Sequence, residues 1–153
     1  MVKSFQGVRK APEKERQQVE VSDHMTVKLT TFSPTQSVGE VVRIMIAKRI
    51  SGGPVLDDTG KLVGVISEGD CLKEMVRGKY SNSPNISGCV ADHMVREVIT
   101  IGPSVNVLDA ADVFLNNKVR RLPVMKDGAL LGQISQRDVM TAILTLKNET
   151  WGK

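Results

Sequence analysis

The sequence predicts a mixed α/β (α+β) fold in which one small structural repeat occurs twice. The motif Asp23-His24-Met25 recurs 69 residues later as Asp92-His93-Met94, and Pro54-Val55 meets Pro123-Val124 at the same offset. One residue then drops out of the second copy near Asp127, where turn residues tolerate a deletion. Hydrophobic residues make up 41% of the chain and aromatic residues 3%, which indicates a core of aliphatic side chains. Such a core suits helices packed on β-branched strands.

Each copy predicts, in order, an extended segment, a helix, a strand, a turn, a strand and a helix. In the first copy Ser37 and Glu40 have the spacing of a capping box ahead of an amphipathic helix, and Asn106 and Asp109 repeat it. Short apolar runs separated by turn residues then predict paired strands. The predicted strands are residues 54–57, 62–66, 123–126 and 130–134, and the predicted closing helices are residues 68–77 and 136–146.

The predicted domain boundaries follow the repeat. Residues 19–77 form the first copy and residues 88–148 the second, joined by a linker at residues 78–87 that is rich in Gly, Ser and Asn. Residues 1–18 are charged and polar and lie outside the repeat. We expect this N-terminal arm to be frayed or to form a lone surface helix, unless an oligomer contact orders it. Residues 149–153 are a short tail.

Composition narrows the class of protein. A chain of 153 residues fits one domain of ordinary size, and no apolar run approaches the ~20 residues that a membrane-spanning helix needs. The first 21 residues are too polar for a secretory signal, so we expect a cytoplasmic protein. Cys71 and Cys89 lack C-x-x-C spacing and are expected to be free thiols. The net charge of +4 is scattered and is weak evidence for nucleic-acid binding.

Three paired motifs resemble the CBS domain family. They are the D-H-M openings, the strands SGGPV and RRLPV, and the strand-to-helix joints GVISEGD and GQISQRD. The resemblance covers residues 19–146 and implies two tandem β-α-β-β-α repeats related by a pseudo-twofold axis, a pair known as a Bateman module. It also implies that an adenosyl ligand binds in clefts between the repeats. AMP, ADP, ATP, S-adenosylmethionine or NAD(H) would act there as a regulatory ligand and not as a catalytic cofactor.

The joints Ser67-x-x-Asp70 and Ser135-x-x-Asp138 are the strongest candidate ligand contacts. Each places a serine at the end of a strand and a carboxylate in the first turn of a helix. A carboxylate there can accept hydrogen bonds from both hydroxyls of a ribose, while the serine hydroxyl and free helical N–H groups can hold phosphate oxygens. The competing interpretation is a capping box, in which each aspartate only satisfies backbone donors.

Arg120 and Arg121, just before Pro123, are the second candidate feature. The resemblance implies that basic residues here point toward ligand phosphates, since a guanidinium can bind two oxygens at once. A solvated charge at a strand edge is the alternative. The first repeat has Ser51 and Gly52 at the matching positions. We therefore expect unequal sites. If each arginine serves its own cleft and not the neighbouring one, phosphate binds near Asp138 and an uncharged adenosyl group occupies the other cleft.

The remaining candidates would surround the adenine. Residues of the opening extended segments could contact its edge, and apolar residues of the strands could form walls around it. Most of these side chains would belong to the core without any ligand. The candidate edge contacts are Thr31 and Thr100, and the candidate walls are Ile66, Ile134 and the residues around Pro54 and Pro123.

Catalytic and metal chemistry have no candidate motif in the sequence. His24 and His93 stand at matching positions, but no cysteine or carboxylate cluster with ligand spacing accompanies them, so we expect histidines at helix starts. The sequence contains no P-loop, nucleophile elbow or H-E-x-x-H motif. We therefore predict a protein that is not an enzyme.

The sequence thus predicts a stand-alone regulatory module that senses an adenosyl ligand, forms a homodimer and acts on another protein. One alternative is a nucleic-acid-binding CBS pair, motivated by the pI of 9.2, by Arg120 and Arg121, and by the basic residues of the arm, which are Lys3, Arg9, Lys10, Lys14 and Arg16. The scarcity of aromatic residues counts against it, because single-strand binders usually stack bases on such rings. Another alternative is a dimeric scaffold that binds no ligand.

Overall fold

The computed structural model describes residues 2–7, 19–77, 83 and 85–151, and these residues form a mixed α+β fold as predicted. Parts of the predicted arm, linker and tail lie outside the described residues, namely residues 8–18, 78–82, 84 and 152–153. The elements in chain order are β1 (Val2–Phe5), α1 (Val21–His24), α2 (Val38–Lys48), β2 (Gly52–Leu56), β3 (Leu62–Ser67), α3 (Glu68–Met75), α4 (Val90–His93), β4 (Val98–Ile101), α5 (Val107–Asn117), β5 (Arg121–Lys126), β6 (Ala129–Ser135) and α6 (Gln136–Trp151).

The chain divides into two compact units. Unit 1 contains Thr30–Val98, and unit 2 contains the described residues of Val2–Leu29 and Ile99–Lys153. In unit 1, β2 and β3 pair antiparallel, and Phe32 adds an isolated parallel bridge to Val55. Helices α2, α3 and α4 contribute to its aliphatic core. The buried side chains of that core are Phe32, Val38, Val41, Met45, Val55, Ile66, Cys71, Val90 and Met94.

Unit 2 contains a four-stranded sheet in the order β1-β4-β5-β6. The strands β5 and β6 form an antiparallel hairpin, and β4 runs parallel to β5. Helices α1, α5 and α6 contribute side chains to the core beside this sheet, so the unit has the predicted composition of aliphatic helices on β-branched strands. Its buried core side chains are Val21, Ile101, Val105, Ala110, Phe114, Leu122, Val124, Ile134 and Val139.

The opening helix of each sequence repeat belongs to the unit formed by the other repeat. The amide of Val21, in α1, donates to the carbonyl of Val105 at 2.9 Å within unit 2. The amide of Val90, in α4, donates to the carbonyl of Gln36 at 2.9 Å within unit 1. Both valines are fully buried. Each unit therefore contains most of one sequence repeat together with the opening helix of the other. The predicted residue boundaries of the repeats stay a prediction.

A glycine makes room for the segment that follows each opening helix. In unit 2 the backbones of Thr26 and Gln133 exchange two hydrogen bonds of 2.8 and 2.9 Å. A Cβ on the neighbouring Gly132 would lie 2.6 Å from the Thr26 carbonyl oxygen. In unit 1 a Cβ on Gly64 would lie 2.7 Å from the sulfur of Met94. Only a residue without a side chain permits this approach, which explains a glycine at the same place in both repeats.

The prediction for the N-terminal arm was wrong at Val2–Phe5. These residues form the edge strand β1 and are neither frayed nor helical. All four side chains are exposed, so the segment lacks the apolar alternation that would reveal a strand in the sequence. Its pairing comes from backbone groups at the edge of β4, which accept an extended segment of almost any sequence.

The capping-box predictions for α2 and α5 were also wrong in part. The Ser37 hydroxyl accepts a hydrogen bond from the Glu40 amide at 3.1 Å, as expected. The Glu40 carboxylate, however, accepts from the side-chain amide of Gln36 at 3.0 Å and does not return a bond to Ser37. Asn106 caps α5 through the Leu108 amide at 2.8 Å. Each helix therefore has a single side-chain cap at its N-terminus, and at α2 the Glu40 carboxylate pairs with Gln36 instead.

Candidate functional site

The second Ser-x-x-Asp joint is held by a reciprocal pair of hydrogen bonds. Ser135 ends β6, and its hydroxyl accepts from the Asp138 amide at 3.1 Å. The Ser135 amide donates to Oδ2 of Asp138 at 2.9 Å. The capping interpretation is therefore correct for Oδ2. Within the described part of the chain, Oδ1 of Asp138 accepts no hydrogen bond, so one oxygen of this half-buried carboxylate remains for a further donor.

The first joint repeats this geometry in unit 1. The Ser67 hydroxyl accepts from the Asp70 amide at 3.2 Å, and the Ser67 amide donates to Asp70 Oδ2 at 2.9 Å. The Ser67 hydroxyl also lies 2.8 Å from the same Oδ2. Among the described residues, Oδ1 of Asp70 again has no donor. Each unit thus presents one oriented carboxylate oxygen at the start of a helix.

The β5–β6 hairpin brings the two arginines to the Ser135 joint. Arg121 is the first residue of β5 and stands opposite Ser135 in the strand register. The carbonyl of Arg120 accepts from the Gln136 amide at 3.3 Å. Arg120 is exposed and Arg121 is half-buried. The backbones of both arginines therefore lie next to the Ser135 joint.

Unit 1 has the same backbone arrangement without the positive charge. Gly52 stands opposite Ser67 in the β2–β3 register, and the carbonyl of Ser51 accepts from the Glu68 amide at 2.9 Å. Ser51 is half-buried. The structure thus places Ser51 beside the Ser67 joint, just as it places Arg120 beside the Ser135 joint. The two candidate sites share a frame and differ in charge.

The two candidate threonines have different surroundings. Thr31 is exposed and precedes Phe32, whose amide donates to the Pro54 carbonyl at 2.9 Å. Thr100 is fully buried, and its hydroxyl donates to the carbonyl of Lys3 in β1 at 3.4 Å. The equivalence expected from the repeat therefore fails here, because β1 lies beside the strand that carries Thr100.

The predicted apolar walls belong to the two cores. Ile66 is 1% exposed and Ile134 is fully buried. Pro54 and Pro123 are also buried and lie in the strands β2 and β5. All four side chains have a structural role that needs no ligand. Their contact with an adenine ring stays a prediction.

One charged cluster of unit 1 was missed by the sequence analysis. Glu74 in α3 is 3% exposed, and its carboxylate lies 3.0 Å from both His93 Nε2 and an Arg77 nitrogen. The side chain of Asn85 donates to the other carboxylate oxygen. The cluster joins α3 to α4 and to the segment before it. The matching position in the second repeat is Ala142, so the repeat pattern gave no warning of a buried carboxylate.

The histidine prediction needs a correction. His24 and His93 are the last residues of α1 and α4 and do not start helices. The helices begin earlier because Val21 and Val90 anchor them in the cores, and Asp23 Oδ2 accepts from the Glu20 amide at 3.0 Å ahead of α1. In the described part of the chain no three His, Cys, Asp or Glu side chains come together as a metal site would require.

The cysteines are free thiols, as predicted. Cys71 is buried in the core of unit 1, and this burial raises the pKa of its thiol above the ordinary value, with a smaller contribution from the negative charge of Asp70. The thiol therefore stays protonated at neutral pH, which makes Cys71 a poor nucleophile. No helix of the described residues combines the length and the apolar character of a membrane span.

A family model for the CBS domain matches residues 21–77 and 90–145, which include both Ser-x-x-Asp joints. The chain belongs to the CBS domain family. The two matches confirm the resemblance drawn from the paired motifs, and they confirm a fold of two tandem CBS repeats. Each match begins at the short helix, α1 or α4, that packs in the other unit.

Known CBS proteins resemble the chain in sequence and in fold. CBSX2, a chloroplast protein of Arabidopsis thaliana, is 31% identical over 85% of this chain and 66% of its own length. The chain thus spans just under two thirds of that relative. The crystal structure of CBSX2 in complex with AMP matches with a TM-score of 0.71 at 32% identity, over 84% of this chain and 98% of that chain. A CBS-domain protein of Agrobacterium tumefaciens matches with a TM-score of 0.70 at 26% identity, over 81% and 92%.

One enzyme also shares the CBS repeats. Inosine-5'-monophosphate dehydrogenase of Methanocaldococcus jannaschii is 32% identical over 81% of this chain, but the match covers only 24% of the enzyme. The similarity is therefore confined to about a quarter of that protein. It extends the CBS family assignment and gives no argument for dehydrogenase activity in this chain.

Proposed function

We propose that this CBS pair is a regulatory module without catalytic activity of its own, and that it binds an adenosyl ligand. The observation that carries the proposal is the oriented Oδ1 of Asp138 beside Arg120 and Arg121. This arrangement offers an ionised acceptor and two cations within one unit, as a ribose next to a phosphate requires. The relative CBSX2 supports the ligand class, since its structure was determined in complex with AMP.

In the proposed site, the carboxylate and the arginines bind different parts of the ligand. The carboxylate of Asp138 accepts hydrogen bonds from ribose hydroxyls, while its capping bond to Ser135 fixes the direction in which Oδ1 points. Arg120 and Arg121 bind phosphate oxygens, while the amides of Ser135, Gln136 and Asp138 at the start of α6 are already paired within the unit. Such a ligand could be AMP, ADP, ATP or NAD(H), which all combine a ribose with phosphate.

The proposed site of unit 1 differs in what it selects. Asp70 supplies the same ribose acceptor, but Ser51 and Gly52 replace the arginines. An adenosyl ligand without phosphate, such as S-adenosylmethionine or adenosine, fits this site better because no negative charge needs neutralising. Ligand binding regulates another protein, and we place this chain and that partner in the cytoplasm. Cell fractionation would test the location.

Isothermal titration calorimetry with AMP, ADP, ATP, NADH, S-adenosylmethionine and adenosine tests the proposal directly. We expect AMP to bind one tighter and one weaker or undetectable site per chain, because only the Asp138 site has the arginines. Adenosine and S-adenosylmethionine should distinguish less between the two sites. If none of the six ligands binds at millimolar concentration, the proposed function is wrong. Two equal AMP sites per chain would contradict the proposed inequality.

The proposed active form is a homodimer through α5 and α6. These helices pack together in unit 2, yet they expose several large apolar side chains to solvent. Two of these side chains are seven residues apart on α5 and two are four residues apart on α6, so each pair lies on one face of its helix. An exposed apolar patch of this kind marks an interaction site. The side chains, with their exposed fractions, are Leu108 (53%), Leu115 (73%), Met140 (60%) and Leu144 (61%).

Sedimentation velocity measures the assembly. We expect the wild-type chain to sediment as a dimer at micromolar concentration and Leu115→Glu with Leu144→Glu to sediment as a monomer, because buried carboxylates without partners oppose association. Replacing the exposed Val27, which lies outside the helices of both units, by Glu is the control and should leave the dimer intact. A monomeric wild type would refute this part of the proposal.

A further inference from the structure

The N-terminal strand β1 is attached to unit 2 mainly through its backbone. The Gly102 amide donates to the Phe5 carbonyl at 2.6 Å, and the Thr100 hydroxyl donates to the Lys3 carbonyl. The side chains of the strand add little, since Val2 remains 43% exposed and Phe5 39% exposed. A strand held at a sheet edge with so little apolar burial belongs to the least stable part of a fold.

What β1 covers is a candidate ligand contact. Thr100 is fully buried with β1 in place, whereas its counterpart Thr31 in unit 1 is exposed. Beside it, the Gln6 side chain reaches over the sheet and donates to the Met125 carbonyl at 3.3 Å. A Cβ added to Gly102 would collide with this Gln6 side chain. Thr100 and the neighbouring edge of β4 therefore have no free surface for a base while β1 is docked.

We propose that residues 2–6 are a displaceable strand that blocks the Thr100 position, so that docking of β1 and contact of a ligand with Thr100 exclude each other. The inference rests on the proposed function, which makes Thr100 a contact to the adenine edge. It adds a regulatory element that the repeat does not contain, because β1 precedes the first CBS repeat and pairs within unit 2. The strand acts as an internal competitor of the adenosyl ligand.

The strength of the competition follows from the populations of the two states. Only molecules with β1 released can use Thr100, so the apparent dissociation constant equals the intrinsic constant divided by the released fraction. If β1 is docked in about nine of ten molecules, releasing it permanently raises the apparent affinity about tenfold. Any modification or partner that captures residues 2–6 would have the same effect.

Proline substitutions release the strand without shortening the chain. The N–H and C=O groups of one residue in a strand point to the same side, and successive residues alternate. Because the carbonyls of Lys3 and Phe5 face β4, the amides of these two residues face it as well, whereas Ser4 faces away. The double variant Lys3→Pro, Phe5→Pro removes the inward donors. Ser4→Pro is the matched control, since proline is tolerated where the N–H points to solvent.

AMP is the probe, titrated calorimetrically into the full chain and both variants, with amide hydrogen exchange at Gly102 recorded with and without AMP. We expect the double variant to bind AMP at least fivefold more tightly, Ser4→Pro to bind like the wild type, and AMP to speed exchange at Gly102 in the wild type. Equal affinities together with unchanged protection of Gly102 would overturn the inference and leave the proposed function standing. Weaker binding by the double variant would also overturn it, because β1 would then be part of the site. Binding of AMP to none of the three proteins would overturn the proposed function and this inference together.

Discussion

Replacing Asp138 by Asn should weaken AMP binding at least tenfold while the folded state keeps nearly all of its stability. The asparagine oxygen can still accept the Ser135 amide, so the cap of α6 survives. The charge is lost, and an amide NH₂ group replaces the second acceptor oxygen. A hydrogen bond to a charged group contributes about 1.5–3 kcal/mol, and about 1.4 kcal/mol corresponds to tenfold in affinity.

Two further variants separate ligand binding from capping. Asp138→Ala should lose both, with a cost in unfolding free energy of ~0.5–2 kcal/mol for the missing cap. Asp109→Asn is the matched control, since Asp109 is also an aspartate in the first turn of a helix of unit 2 and is exposed. Calorimetry gives the affinity and urea unfolding gives the stability. If Asp138→Asn binds AMP like the wild type, Asp138 is only a helix cap.

Replacing Arg120 and Arg121 together by Ala should weaken AMP and ATP tenfold or more and leave adenosine nearly unchanged. The backbones of both arginines lie beside the Ser135 joint, and in the proposed site their guanidinium groups bind only the phosphate of a ligand. Losing one charge-assisted hydrogen bond accounts for the tenfold effect, and losing several would increase it. Adenosine keeps the contacts of Asp138, so the charge of the ligand is the variable that decides the role of the arginines.

The controls for this variant address the nucleic-acid alternative. Lys126→Ala removes one positive charge at the opposite end of β5 and should not change AMP affinity. If the arginines instead bind nucleic acid, a short single-stranded oligonucleotide should bind the wild type with a log–log salt slope of about −0.7 per neutralised phosphate. AMP binding would then survive the double substitution. Equal losses for AMP and adenosine would refute the phosphate role.

The sequence predicted the helices and strands that occur in both repeats, because the same pattern indicates each of them at two places in the chain. The positions of the strands, the closing helices and both Ser-x-x-Asp joints followed from this pattern. It could not predict that α1 and α4 exchange units. Val21 needs an apolar core, but its own sequence contains no information about which of two similar cores it enters. Long-range hydrogen bonds, such as the one from Val21 to Val105, decide the question.

The sequence analysis missed the features that have no counterpart in the other repeat. The strand β1 has no counterpart, and its pairing depends on backbone groups that every sequence possesses. Glu74 looks like a solvent-facing helix residue, because a buried carboxylate is recognised only by its partners His93, Arg77 and Asn85. Asp138 shows a different limit of prediction from sequence, which concerns single atoms and not whole elements. The sequence placed the carboxylate correctly but could not tell that capping occupies one oxygen and leaves the other.

The exchange of opening helices also orders events during synthesis on the ribosome. Unit 1 is one continuous stretch, so its core can close as soon as Val98 has emerged. At that moment α1 has emerged, but most of its core in unit 2, including Val105 and Leu122, has not. At about 5–20 residues per second, the 41 residues from Ile99 to Val139, the last of these core residues, take roughly 2–8 s. For that interval the nascent chain carries a folded unit 1 and a short helix whose Val21 has no core to enter, and this apolar side chain is open to binding by a chaperone.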